Sequence, residues 1–388
     1  MFLNLADEII ENKLNRELHP IKRLPLCLLG MAFILCFLFS NAIAQAPAKE
    51  SRLEKFFGKD LRFIGNPIIQ NSPETGVKVG LAGNYLFKTG KDSLTRSSNI
   101  YLQVAYTTKQ QFILEPIWNV FTSNETYIFR GRAGYLDFTD HFWGLGSTSD
   151  GFSKTDLFYK RVYIQSKLLR KLSGNWFGGV NFRYSNIYQL TWLDLIPDVA
   201  GNAGSLIAGL GPNIQADFRD NPFSPQKGWY ADVFWSAFGK FSGSNYQFHQ
   251  LQFDGRYYVH FRKPKQVLAL QAFADFSIGE LPFRELPRLG SSSLMRGFFE
   301  GRFRDKHYLS AQAEWRQPVY KRIHASAFLG AGEVSNTLSS FNLQRLKVAG
   351  GLGLRFLLNP KEHVFVRFDY AWNNEGGSGF YIRINDAF

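Results

Sequence analysis

Cysteine is almost missing from this chain: 388 residues hold two, Cys27 and Cys36, both inside an apolar N-terminal segment. A disulfide scaffold, a Cys-ligated zinc site and a thiol nucleophile are therefore excluded from everything downstream. Beyond that first segment no apolar run approaches the ~18 residues of a spanning helix, which excludes a helical membrane bundle. Acidic residues are in short supply, 32 Asp+Glu against 45 Lys+Arg, for a net charge of +13. The seven histidines have no metal-ligand spacing, and there is neither a Gly-x-Ser-x-Gly elbow nor a glycine-rich phosphate loop, so the sequence predicts no enzyme, no metal and no cofactor. Ser291, Ser292 and Ser293 beside Arg296 are ordinary turn material. Disorder is excluded as well, because 45% of the residues are apolar and 16% aromatic. What remains is a soluble all-β protein or a membrane barrel.

The N-terminus has the form of an export address. Lys22 and Arg23 precede an apolar run from Leu24 to Phe39, and Ala42-Ile43-Ala44 supplies the small-x-small pattern of a cleavage site. Residues 1–44 are accordingly expected to be a signal peptide, with an uncleaved inner-membrane anchor as the competing reading, and 45–60 a short periplasmic segment. Four acidic residues (Asp7, Glu8, Glu11, Glu17) balance four basic ones (Lys13, Arg16, Lys22, Arg23) in 1–44, so the exported chain keeps the whole +13.

From about residue 76 apolar and polar residues alternate with the period of a strand between two environments. Leu309, Ala311, Ala313 and Trp315 fall on one face, and Ser310, Gln312, Glu314 and Arg316 on the other. The same holds for Val364, Val366, Phe368, Tyr370 and Trp372 against His363, Arg367, Asp369 and Ala371. These segments run 10–15 residues, longer than the ~5–6 of a soluble strand and sufficient for the ~9–11 of a tilted membrane crossing. Trp118, Trp176, Tyr230, Trp235, Tyr257 and Trp372 lie near segment ends, the positions of interfacial aromatic girdles. An open edge in hydrocarbon would leave backbone groups unpaired, so the sheet must close. The expected fold is all-β, a transmembrane antiparallel β-barrel over residues 61–388.

Fifteen strands are legible, near 76–88, 97–108, 110–121, 125–138, 155–168, 175–188, 204–218, 228–238, 246–261, 266–278, 305–317, 321–332, 345–357, 363–373 and 379–388. Single-chain bacterial barrels have an even number, and Leu61–Gln70 supplies a sixteenth. Gly65 and Pro67 make it a poor one, which predicts a weak closing seam against Gly379–Phe388. Short turns at 262–265, 320–321 and 359–361 are assigned to the periplasm. The long connections Asp140–Lys154, Tyr188–Ala203 and Gly279–Asp305 are assigned to the outside.

Three segments together resemble the barrel of the BamA/TamA superfamily of bacterial surface antigens. The first runs from Gly211 through Asp217, Arg219, Asp220, Asn221 and Pro222 to Pro225 and Gly228, similar to that family's strand–turn–strand motif. The second, Leu294-Met295-Arg296-Gly297-Phe298 with Gly301-Arg302, resembles the Arg-Gly-Phe/Tyr tip of a long extracellular loop folded into the lumen. The third, Glu314-Trp315-Arg316-Gln317-Pro318, resembles the acidic strand that follows this loop. The terminal stretch carrying Phe380, Ile382, Ile384 and Phe388 is similar to the C-terminal insertion signal of outer-membrane barrels. The resemblance implies sixteen strands, a place in the bacterial outer membrane, and a role in inserting or translocating protein or lipid. Two departures stand out. Gly330 occupies the site of a usual aspartate, and only Gln45–Asp60 is available where the family has POTRA domains, which leaves open whether a separate periplasmic partner supplies that function.

An arginine at a loop tip removed from water needs an anion. By strand parity Glu314 points inward and is the preferred partner of Arg296, with Asp369 as a second acid in place of the carboxylate missing at Gly330; Arg316 lies beside them. The inward set Arg183, Arg256, Arg316, Arg355, Arg367 and Arg383 outnumbers its visible acids, leaving open a passive anion-permeable pore or a structural surface protein. Expected partners are outer-membrane lipid and lipopolysaccharide, with unfolded outer-membrane protein or lipid as cargo. The basic residues are dispersed, and no nucleic-acid partner is expected.

Overall fold

A computed structural model describes residues 62–388 apart from 90–94, 149–153, 223, 262–265 and 360–363. The expected signal peptide (1–44), the segment 45–60, Leu61 and the turns at 262–265 and 360–361 lie outside the described residues. The chain runs through β1 (Arg62–Ser72), β2 (Gly76–Phe87), β3 (Ser98–Thr107), β4 (Phe112–Phe121), β5 (Tyr127–Phe142), β6 (Thr155–Ser173), β7 (Trp176–Trp192) and β8 (Ser205–Asp217). It continues through β9 (Gly228–Phe238), β10 (Phe248–His260), β11 (Val267–Gly279), β12 (His307–Tyr320), β13 (Ile323–Ser335), β14 (Lys347–Asn359), β15 (Val364–Asn373) and β16 (Ser378–Ile384). Each strand pairs antiparallel with its sequence neighbours and β16 meets β1, closing a sixteen-stranded barrel. Strict up-and-down order puts the connections 143–154, 193–204 and 280–306 on one rim.

The two-residue period decides the faces. On β12, Ser310, Gln312, Glu314 and Arg316 are buried, whereas Leu309 and Ala311 are exposed. On β15, Arg367, Asp369 and Ala371 are buried and Phe368, Tyr370 and Trp372 are exposed. Exposed apolar side chains turned outward and buried polar ones turned inward are the arrangement required when the outside is hydrocarbon. Trp176, Trp235, Tyr257 and Trp372 are exposed, but Tyr230 corrects the expected girdle. It is buried on the inward face of β9, beneath the guanidinium groups of Arg219 and Arg256. Its position near a strand end carried no information about face.

Two strand assignments also change. β1 is a full partner of β2 from Arg62↔Leu86 to Ser72↔Gly76, with Pro67 opposite Leu81, so Gly65 and Pro67 do not interrupt it on that side. Proline is tolerated where a strand has one sparsely paired flank, and β1 has one. The last strand stops at Ile384 instead of running to Phe388. Asn385 adopts φ +66° and turns the tail inward, where Ala387 and Phe388 pack with Tyr258, Val267 and Ala269. β5, β6 and β7, of 16, 19 and 17 residues, are longer than their alternation suggested.

Candidate functional site at the loop tip and the strand joint

Strand parity brings four elements to one inward patch: Gln312 and Glu314 from β12, Phe328 and Gly330 from β13, Arg367 and Asp369 from β15, and Tyr381 from β16. The 280–306 connection meets this patch. Met295 (φ +54°) and Gly297 (φ +109°) bend the chain on either side of Arg296. A Cβ at Gly297 would stand 3.1 Å from the Trp372 carbonyl oxygen, a tight contact, and the left-handed backbone there favours glycine. Arg296 has 1% of its surface exposed and donates to Glu314 Oε2 at 2.5 Å and to Asp369 Oδ2 at 2.8 Å. Its guanidinium carbon lies 3.5 Å from the centroid of the Phe328 ring. The cation is thus placed between two carboxylates and an aromatic face, which offset its desolvation.

The backbone around it is fixed as tightly. The Gly297 N–H donates to the Tyr381 hydroxyl at 2.9 Å, and Asn373 Nδ2 donates to the Gly297 carbonyl at 2.7 Å. Gln312 Nε2 donates to the Ser293 carbonyl at 2.8 Å, and Arg367 to that of Ser292 at 2.6 Å. Phe298 is fully buried with Leu289, Met295, Phe303, Tyr308, Val334 and Ala349. Gly330 leaves room for Met295, whose sulfur would lie 3.0 Å from a Cβ there. Sequence reasoning missed Tyr381, Asn373, Gln312 and Phe328. Inward parity was the one signal for these four, and it does not say which inward groups meet.

Glu314 also accepts from Arg316 Nε at 2.8 Å, and Arg316 continues to Asp386 at 2.9 Å and to the Phe388 carbonyl at 2.9 Å. Asp386 pairs in addition with Arg355 and accepts from the Ser224 hydroxyl at 2.7 Å. Arg367 pairs with Asp369, Arg183 with Glu285, Arg256 with Asp254, and Arg383 donates to Gln70. The inward arginines therefore have partners from loops and tail that strand parity did not display. An inner cavity of about 550 Å³ is lined by both signs, among them Arg130, Arg183, Asp232, Asp275 and Glu285. Among the described residues no group of three or more His, Cys, Asp or Glu could hold a metal ion.

The strand–turn–strand motif is a built corner. Arg219 holds both Asp217 oxygens, at 2.8 and 3.0 Å, and Arg96 reaches the same carboxylate at 3.1 Å. Asp220 Oδ1 accepts the Gln226 N–H at 3.0 Å, Pro222 is exposed, and Gly228 sits at φ +98°. The terminal residues divide: Phe380 and Ile384 are exposed on the outer face, Ile382 is partly buried, and Phe388 is buried inside.

At the joint, β1 and β16 register at one position among the described residues, Asn71↔Ile382. β15 and β16, by contrast, register from Val366↔Ile384 to Trp372↔Ser378. Side chains cross where the ladder does not: Asn71 Nδ2 to the Phe380 carbonyl at 2.6 Å and Arg383 to Gln70 at 2.7 Å.

Fold and site define an outer-membrane barrel with a buried loop arginine and a narrow closing joint. The family model described as the Omp85 superfamily domain matches residues 160–388. The chain belongs to the Omp85 superfamily, the wider group of the BamA/TamA barrels, and with it to the bacterial outer membrane and to a general role in insertion or translocation there, not to an enzyme class. Among solved structures it is similar to BamA from Haemophilus ducreyi lacking POTRA domains 1–3 (13% identity, TM-score 0.60, 84% of this chain and 71% of that one). It is also similar to CdiB from Acinetobacter baumannii (12%, 0.56, 84% and 60%) and CdiB from Escherichia coli (13%, 0.53, 83% and 62%). The alignment thus spans about three fifths of each CdiB chain, and at these identities the likeness establishes the fold. No curated protein sequence matches the chain.

Proposed function

We propose that this barrel assists the insertion of outer-membrane polypeptides by parting its wall between β1 and β16. The observation that carries the proposal is that, among the described residues, the joint has one registered pair, Asn71↔Ile382. Edges left with unpaired N–H and C=O groups are templates for an incoming strand. In this reading the 280–306 connection is an extracellular loop folded into the lumen. Arg296, held by Glu314 and Asp369, keeps it against the wall that carries β15 and β16. Arg316 sets Glu314, while Asp217, Arg219, Asp220, Pro222 and Gly228 hold a corner at the opposite rim. Phe380, Ile382 and Ile384 present the lipid-facing part of an insertion signal, and the outer face meets lipid and lipopolysaccharide. A separate periplasmic protein would deliver the cargo.

The Asn71↔Ile382 register, carried two residues further, places Ile69 opposite Ile384, both exposed on the outer face. The protein with Ile69→Cys and Ile384→Cys, oxidised in proteoliposomes, should lose its acceleration of the folding of an added, urea-unfolded barrel protein and regain it on reduction. Undiminished acceleration with the disulfide formed would remove the mechanism.

A further inference from the structure

The 280–306 connection touches both lips of the joint within three residues. On the β16 side the Gly297 N–H is bonded to the Tyr381 hydroxyl at 2.9 Å. On the β1 side the Glu300 N–H is bonded to Glu74 Oε1 at 2.9 Å, and Glu74 lies in the turn between β1 and β2. That turn is itself tied down, its Pro73 carbonyl accepting Lys109 Nζ at 2.6 Å and its Glu74 carbonyl accepting Gln111 Nε2 at 3.1 Å. The geometry points to the loop acting as a clasp across the joint, with Tyr381 and Glu74 as the positioning residues on its two sides.

Covalent reach gives the clasp its consequence. Three residues span at most ~10 Å, and admitting one strand between the lips widens the gap by ~4.8 Å. A second spacing of that size between the lips draws the clasp to nearly its full reach, which loads its weaker end when the wall parts. The Gly297 end is reinforced by Asn373 and by the neighbouring Arg296 pairs. The Glu300 end rests on that backbone bond and on Lys109, whose ammonium donates to the Pro73 carbonyl and lies 5.2 Å from the centroid of the Phe299 ring, while Arg288 holds the Glu300 side chain at 3.2 Å without reaching β1. Burial, and after it the Glu300 carboxylate, raise the Glu74 carboxyl above its ordinary value, so the charged form is disfavoured at this end. The Glu74–Glu300 contact is the releasable end. This inference rests on the loop and joint reading above, and it adds what governs the opening.

The test uses the full chain carrying Ile69→Cys and Ile384→Cys in proteoliposomes, with the initial rate of disulfide formation as the measure of lip separation. Glu74→Ala and, separately, Tyr381→Phe should each slow that rate at least threefold, while a long flexible bis-maleimide still bridges the pair. Glu74→Gln, which keeps an acceptor oxygen, should restore the parent rate. Heat-modifiable migration of each variant reports that the barrel has folded, and the mild Tyr381→Phe change keeps the test open if Glu74→Ala fails to fold. Rates unchanged or raised in the folded variants would overturn the clasp. Such a result would leave lateral opening standing, whereas full activity in the locked barrel would overturn opening and leave the clasp.

Discussion

Replacing Arg296 by alanine removes a buried guanidinium from two carboxylates and from the face of Phe328. Breaking a buried pair by deleting one partner costs about 3–5 kcal/mol, because the remaining charge stays buried. Here neither acid is abandoned, since Glu314 retains Arg316 at 2.8 Å and Asp369 retains Arg367. The loss therefore belongs near the lower end, about 3 kcal/mol with the aromatic contribution included. At ~1.4 kcal/mol per decade this shifts the docked-to-undocked ratio of the loop by about a hundredfold. Cleavage of a transiently opened segment tracks the population of the open form when closing is fast. Trypsin should then nick the folded Arg296→Ala protein at Arg302 and Arg304 about a hundredfold faster than the parent, in which Arg304 is fully buried. Arg296→Lys, a point charge without the fork, should fall between. A nicking rate within twofold of the parent, in protein that still migrates as a folded barrel, would refute the view that Arg296 anchors the loop.

Asp386→Ala should free the C-terminal tail, because Asp386 links it to Arg316, Arg355 and Ser224; carboxypeptidase trimming of Phe388, followed by intact mass, should accelerate at least tenfold. Gly228→Ala places a Cβ 2.0 Å from the Phe218 carbonyl oxygen at φ +98°, and should lower refolding yield severely. Gly243→Ala, at φ +86° with open space around it, should lose only the ~1–2 kcal/mol of a left-handed residue; equal yields would show that the corner is not tightly packed. Deleting residues 290–306 should raise planar-bilayer conductance from near zero. Large, steady, anion-selective currents from the parent would mean the loop does not block the lumen.

The one-dimensional pattern determined the closed β architecture, because a two-residue period with an apolar outside needs no knowledge of partners. It placed Ser310, Gln312, Glu314 and Arg316 on one face of β12, and Arg367 and Asp369 on one face of β15. It also supplied the count of sixteen, from fifteen legible strands and the even number of single-chain bacterial barrels. Tertiary structure decided which of those inward groups meet, because Arg296, Glu314 and Asp369 come together through register and closure across elements far apart in the chain. Tyr230 went inward, Phe388 left the strand at Asn385 to join Arg316, and β1 paired fully with β2 but at one position with β16. None of these follows from local preference: each depends on how far neighbouring strands slide past one another before the cylinder shuts, and alternation has no memory of that distance.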